Sequence, residues 1–397
     1  SLSSIVRSGN SILVSKDNGE IFQLVADART NRTQLTPAFH QRESASKKSE
    51  SLSSCQLNVF SGEQSLWLLS NEGIRRTGWQ DERLSGSRSL PVAALTQPSN
   101  AELTSNVVSA MAFDGIGNLW IGSFRNGIDV FTREGRRLAH LETTDVREIN
   151  SLVWNESSRQ MIAATSQGLV RFNSMQPQVM TTADGLLSNS ILYAAPLQKT
   201  SSASSANLVL ATSRGLMFGQ SGNQAKQWRA LTAVQGLPSN SVYTVLPYRE
   251  SIYAGTLSGL AQINAGRVVR VFKDSNSKLT HNWVTALCAV GNRLFVGTYG
   301  GGVFELTPSG ELIGFTSEIG KQSVNPNAMA TDGQRLYVGT LDGAWVLEFA
   351  SQKWTKLKAE LPALTVLSVA VDDYNVYFGT TSGVARINKK RLEFVRE

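Results

Sequence analysis

Short apolar runs, broken by Gly, Asn, Asp and Ser, recur along the whole chain at nearly regular intervals. The clearest reads Leu119-Trp120-Ile121-Gly122-Ser123, followed by Gly127-Ile128. Ile252-Tyr253-Ala254-Gly255-Thr256 with Gly259, Leu294-Phe295-Val296-Gly297-Thr298 with Gly302, Leu336-Tyr337-Val338-Gly339-Thr340 with Gly343, and Val376-Tyr377-Phe378-Gly379-Thr380 with Gly383 repeat it. Weaker copies end at Thr165 and Thr212, and the weakest at Ser15 and around Leu69-Ser70. Nine anchors result, at 15, 69, 122, 164, 211, 255, 297, 339 and 379. Each is preceded by one apolar run (Val107–Phe113, Val242–Leu246, Val284–Val290, Val366–Val371). Each is followed by a second run (Ile128–Phe131, Leu260–Ile263, Val303–Leu306, Val384–Ile387) and a looser third (Val269–Phe272, Trp354–Leu357, Leu392–Val395). Runs of this length, rich in β-branched and aromatic residues, predict strands. No stretch of ten or more residues holds a 3.6-residue period, so helices are expected to be almost absent.

Four strands per unit at a 40–54-residue spacing predict an all-β fold, a single β-propeller of four-stranded antiparallel blades. Counting anchors gives nine blades, with eight the close alternative because the first repeat is the least regular and could be partial. No linker divides the repeats, so one ring over residues 1–397 is expected. Its blades fall near 1–50, 51–104, 105–147, 148–186, 187–236, 237–279, 280–322, 323–362 and 363–397. Insertions at 36–54 and 80–104 expand the first two connections, and 198–206 lengthens a turn between first and second strands. Insertions in repeat arrays map to loops.

The repeated residues have mechanical readings. A small anchor residue lets neighbouring sheets approach, and the later Gly supplies the positive φ of a tight turn. Asn106, Asn189, Asn240 and Asn282 recur at one position ahead of the first strand. They are expected to set the turn there by bonding their own backbone two residues on.

Composition narrows the function classes. Charged residues make up 17% and apolar residues 41%, which excludes an intrinsically disordered chain. No window nears 18 consecutive apolar residues, so no membrane insertion by a helix within this sequence is expected. The net charge of +7 is scattered, its longest basic run being Lys389-Lys390-Arg391. That scatter argues against nucleic acid, whose binders gather cations on one face. Cys55 and Cys288 sit in strand-like runs and read as buried thiols. His40, His140 and His281 show no metal-ligand spacing, and neither a Gly-x-Ser-x-Gly elbow nor a phosphate loop occurs, so no metal and no cofactor is expected.

Gly236-Leu237-Pro238-Ser239-Asn240-Ser241-Val242, running on to Tyr253-Ala254-Gly255-Thr256-Leu257-Ser258-Gly259-Leu260, resembles the bacterial two-component-regulator propeller repeat. Residues 104–130 are the fullest copy, including Asp114 and Gly117, and Asp184-Gly185-Leu186-Leu187-Ser188-Asn189 is a third opening. The pattern covers roughly 104–390. The resemblance implies a non-catalytic, ligand-sensing propeller facing the periplasm or another extracytoplasmic space, as the sensor region of a signalling system.

Propellers bind ligands where the loops entering the innermost strands meet the turns between second and third strands. Here those positions hold His281, Asn282 and Trp283 from an entry loop and Phe124, Arg125, Arg214 and Tyr299 from the turns. Aromatic faces with nearby Arg and His suit an oligosaccharide or another small molecule. Two other readings stand beside the sensor. One is a protein-interaction scaffold using the 36–54 and 80–104 loops. The other is a propeller lyase resembling the streptogramin-cleaving family, with His281 as its general base.

Overall fold

The apolar runs become strands where their alternation places them. In the computed structural model the chain divides into two units, Ser1–Asn100 and Ala101–Glu397. The structure describes residues 103–392 except 174, 198–205, 220–227, 316 and 358–359, together with the backbone of seven strands between Leu2 and Gly78. Cys55, His40, most of the 36–54 and 80–104 insertions and the last predicted strand lie outside the described residues.

The first unit holds two antiparallel sheets. One has four strands (Leu2–Ser8, Ser11–Lys16, Ile21–Asp27, Arg32–Pro37) and the other three (Asn58–Gly62, Ser65–Ser70, Gly73–Gly78). The second unit holds seven sheets, here blades 1 to 7. Their innermost strands are Val108–Phe113, Ile149–Asn155, Ile191–Pro196, Val242–Tyr248, Val284–Val290, Val324–Thr331 and Val366–Val371. Blades 1 to 6 have four strands each, and blade 7 has three among the described residues. Helical structure among the described residues is limited to four 3₁₀ turns, as the missing 3.6-residue period predicts.

Each innermost strand lies beside the next, and Val366–Val371 lies beside Val108–Phe113, so the ring is closed. Seven buried apolar clusters fill the seams between successive blades. The seventh joins Ala370 and Tyr377 of blade 7 to Val108, Met111 and Ile121 of blade 1. The propeller therefore has seven blades, not the nine that counting repeats suggests, nor eight. The ring closes without the first two repeats, whose sheets belong to the other unit.

Seam geometry explains the anchor residues. A Cβ on Gly379 would lie 2.6 Å from Val108 Cγ1, and one on Gly255 would lie 2.6 Å from Val284 Cγ1. Gly122, Gly297 and Gly339 meet Ile149, Val324 and Val366 in the same way. The small anchor residue is where the first residue of the next blade seats. The anchor Thr closes the turn that follows. Thr380 Oγ1 donates to Gly383 O (2.9 Å) and accepts from Ser382 N–H (3.0 Å), while Gly383 takes φ 125°. Thr165, Thr212, Thr256 and Thr340 repeat both bonds. These hydroxyls are buried, so each exchanges its water for a fixed partner.

The recurrent Asn residues also serve structure, but not by the expected bond. Asn189, Asn240 and Asn282 accept from the N–H groups of Thr182, Ala233 and Asp274, seven or eight residues upstream. They pin the end of one blade to the start of the next. The bond two residues on belongs to the preceding side chain: Ser105, Ser188, Ser239 and His281 accept from the N–H of Val107, Ser190, Ser241 and Trp283. A side chain on that residue reaches its own turn, which leaves the Asn amide free to point backwards.

Candidate functional site

In six blades the first residue of the second-to-third-strand turn donates its N–H to the residue just ahead of the innermost strand. Tyr299 N–H to Trp283 O (2.9 Å) and Leu257 N–H to Ser241 O (3.0 Å) are examples. Entry loops and turns thus share one face of the ring, as the sequence reading requires.

On that face Trp283 packs against Tyr299, with ring centroids 4.5 Å apart and planes 33° apart. Tyr243, on the innermost strand of blade 4, adds a second contact to Trp283 at 5.1 Å. Trp283 Nε1 is buried and has no hydrogen-bond acceptor. The Trp283 ring is only half-buried, so its carbon framework, and not the buried N–H, is the part open to solvent. His281 is exposed beside Gly300, and its Nδ1 accepts from Trp283 N–H (3.2 Å). Asn282 is committed to Asp274 N–H (2.9 Å).

The other candidates lie on the same face but away from this group. Phe124 and Arg125 are exposed on the blade 1 turn and Arg214 on the blade 3 turn. No contact joins them to Trp283 among the described residues. The structure therefore brings together Trp283, Tyr299 and His281 and leaves Phe124, Arg125 and Arg214 apart. Tyr243 was not singled out in the sequence. It follows the first residue of an innermost strand, where a register shift between Val242 and Thr244 turns the intervening side chain out of the ladder. That one-residue offset was the available signal.

The first turn residues differ around the ring. Blades 1, 4, 5 and 6 carry Phe124, Leu257, Tyr299 and Leu341, whereas blades 2, 3 and 7 carry Ser166, Ser213 and Thr381. Phe124, Leu257 and Leu341 stay 44%, 44% and 41% exposed, and Leu364, on the entry to blade 7, 62%.

Elsewhere, two carboxylate–tyrosine pairs and a buried thiol serve structure. Burial alone would push the Asp372 carboxyl up, but the N–H groups of Asn375 and Tyr374 and the Tyr377 hydroxyl outweigh it and hold it below the usual carboxylate range. Tyr377 is pushed up to about 12 by burial and by that same hydrogen bond. Asp332 and Tyr337 form the same pair in blade 6, with Lys389 Nζ 3.4 Å from the carboxylate. Cys288 is a buried thiol, pushed up to about 12 by burial. Near Asp372, a cleft of about 290 Å³ opens on the closing seam between Phe113–Gly117, Arg133 and Val371–Asp373. No group of three or more metal-binding side chains occurs among the described residues.

Comparison with known proteins bears on the fold alone. Residues 102–125 match the family model "Two component regulator propeller". No curated protein sequence matches the chain. Among solved structures, the extracellular domain of the putative hybrid two component system BT3049 from B. thetaiotaomicron superposes with TM-score 0.59 at 17% identity. That match covers 98% of this chain and 51% of that one. The extracellular domain of BT4673 from the same organism gives TM-score 0.62 at 18% identity, covering 100% and 53%. The chain thus contains a seven-bladed β-propeller whose fold resembles the extracellular domains of these putative hybrid two component systems, and it spans about half the length of those domains.

Proposed function

We propose that this chain is a non-catalytic, ligand-sensing propeller of an extracytoplasmic signalling protein. Its ligand, an oligosaccharide or another small molecule, seats on the loop face against Trp283 and Tyr299. The observation that carries this is the Tyr243–Trp283–Tyr299 aromatic group on the loop face, with His281 exposed beside it. Aromatic faces supply apolar contact to a sugar ring, and the exposed His281 beside them offers a polar group to orient it. That solved neighbours are extracellular domains of putative hybrid two component systems supports the location and the signalling role.

Thermal unfolding against a panel of oligosaccharides, cell-wall fragments and small metabolites tests the reading. A ligand at a hundred times its dissociation constant adds about 2.7 kcal/mol to the native state. The shift should vanish in Trp283→Ala, return in part in Trp283→Phe, and leave the ligand chemically intact. A ligand that is cleaved, with turnover lost in His281→Ala, would contradict it in favour of the lyase.

A second reading rests on the apolar arc Leu257, Leu341, Leu364 and Phe124, which runs from blade 4 round to blade 1. Exposed apolar surface of this kind suits a protein partner. Loss of a captured partner on joint replacement of Leu341 and Leu364 by Ser, with no response to the panel, would favour it.

A further inference from the structure

The residue three positions after the turn glycine occupies the middle of the third strand, opposite the residue two before the anchor. In blades 1, 3 and 6 it is apolar: Val130, Phe218 and Val346. In blades 4, 5 and 7 it is polar and matched. Gln262 donates to Ser251 Oγ (3.0 Å), Glu305 accepts two bonds from Arg293 (2.6 and 2.7 Å), and Arg386 lies over the Tyr377 ring. Blade 2 departs from both patterns with Arg171.

Arg171 is only 6% exposed, has no acidic or hydrogen-bonding partner among the described residues, and its Nε is buried without an acceptor. Burial pulls its guanidinium below the ordinary value. It sits directly opposite Ile162, so the two side chains share a face, and Leu169 at two residues' remove shares it too. Ile162 and Leu169 belong to the cluster between blades 2 and 3. Trp228 packs against that same cluster, and its Nε1 is likewise buried without an acceptor. One seam therefore holds a buried guanidinium Nε and a buried indole N–H, with no acceptor for either. A guanidinium with one nitrogen buried and unbonded gives up hydration that no partner in the fold restores.

We propose that the seam between blades 2 and 3 is a binding site for an oxyanion group, held by Arg171 and Trp228, separate from the loop-face aromatic group. The guanidinium supplies charge and donors in a fork suited to carboxylate, sulfate or phosphate oxygens, and the indole N–H adds one neutral donor. Exposed Gln178, paired with Arg171 on the outer strand, marks the side from which the group enters.

The test is thermal unfolding of the whole chain in sodium sulfate, phosphate or acetate, against sodium chloride at matched ionic strength. Wild type is expected to show a saturable rise with the oxyanion. A response to sulfate and phosphate alone assigns a tetrahedral oxyanion, and a response to acetate as well extends the site to carboxylates. Arg171→Met, which keeps the apolar length without the charge, is expected to melt on the order of 2 °C above wild type in chloride and to lose the saturable rise. Trp228→Phe should keep the rise at several-fold weaker affinity. An Arg171→Met protein that titrates like wild type, or wild type with no saturable response to any of the three anions, overturns the site.

Discussion

The seam that closes the ring and the seam between blades 2 and 3 are built on one plan with different chemistry. At the closure, Gly379 takes Val108 of the next blade against its bare Cα, and the Tyr377 hydroxyl reaches Asp372 at 2.9 Å. Between blades 2 and 3 the anchor is Ala164, the cross-seam bond is Asn150 Nδ2 to Ile191 O (2.7 Å), and Arg171 and Trp228 keep unused donors. The repeated residues set how blades meet. The middle of the third strand is free to differ, and that is where a blade acquires individual chemistry.

The largest expected effect breaks the closing seam. Gly379→Val places methyl groups where Val108 Cγ1 and Ser368 Oγ already lie, 2.6 and 2.3 Å from the position of a Cβ. It should cost about 3 kcal/mol or more in urea unfolding, since overpacking a filled seam forces backbone shifts. The matching change in the other seam, Ala164→Gly, should cost below about 1 kcal/mol. Next comes Thr380→Val, which preserves shape but leaves Ser382 N–H and Gly383 O without their buried hydroxyl. It should cost about 1–3 kcal/mol in the same measurement.

A smaller effect depends on pH. The Asp372 carboxyl is held below its ordinary value in the folded state. Its contribution is therefore complete above the unfolded value of about 4 and disappears as the pH falls through the folded value. Asp372→Asn should weaken the protein modestly at pH 7 and flatten its stability loss below about pH 4, read by urea midpoints across pH. Arg171→Met has the smallest effect and the opposite sign, raising the melting point in chloride.

Strands and turns were legible because each blade repeats its own signals. The run ending at Gly379-Thr380 and closing at Gly383 specifies two strands and the bend between them by local physics. The number of blades was not legible in the same way. An anchor identifies a repeat, but whether that repeat joins the ring depends on which first strand meets which last one. Val108 against Gly379 is a contact across 271 positions that no periodicity records. The weak anchors Ser15-Lys16 and Leu69-Ser70, where every ring blade has Gly or Ala followed by Thr or Ser, were the trace of that difference. At the candidate site, Trp283 and Tyr299 followed from counting loop positions, while Tyr243 needed the register shift at the strand start. Arg171 stood in a run of ordinary strand residues, and only its burial without a partner sets it apart.

Amide hydrogen exchange on the full chain tests the seven-bladed closure most directly. Val108–Phe113 and Val366–Val371 should exchange as slowly as the innermost strands of blades 2 to 6, because each is buried between two neighbours. Fast exchange confined to those two strands, with the other five protected, would show an open ring and contradict the account.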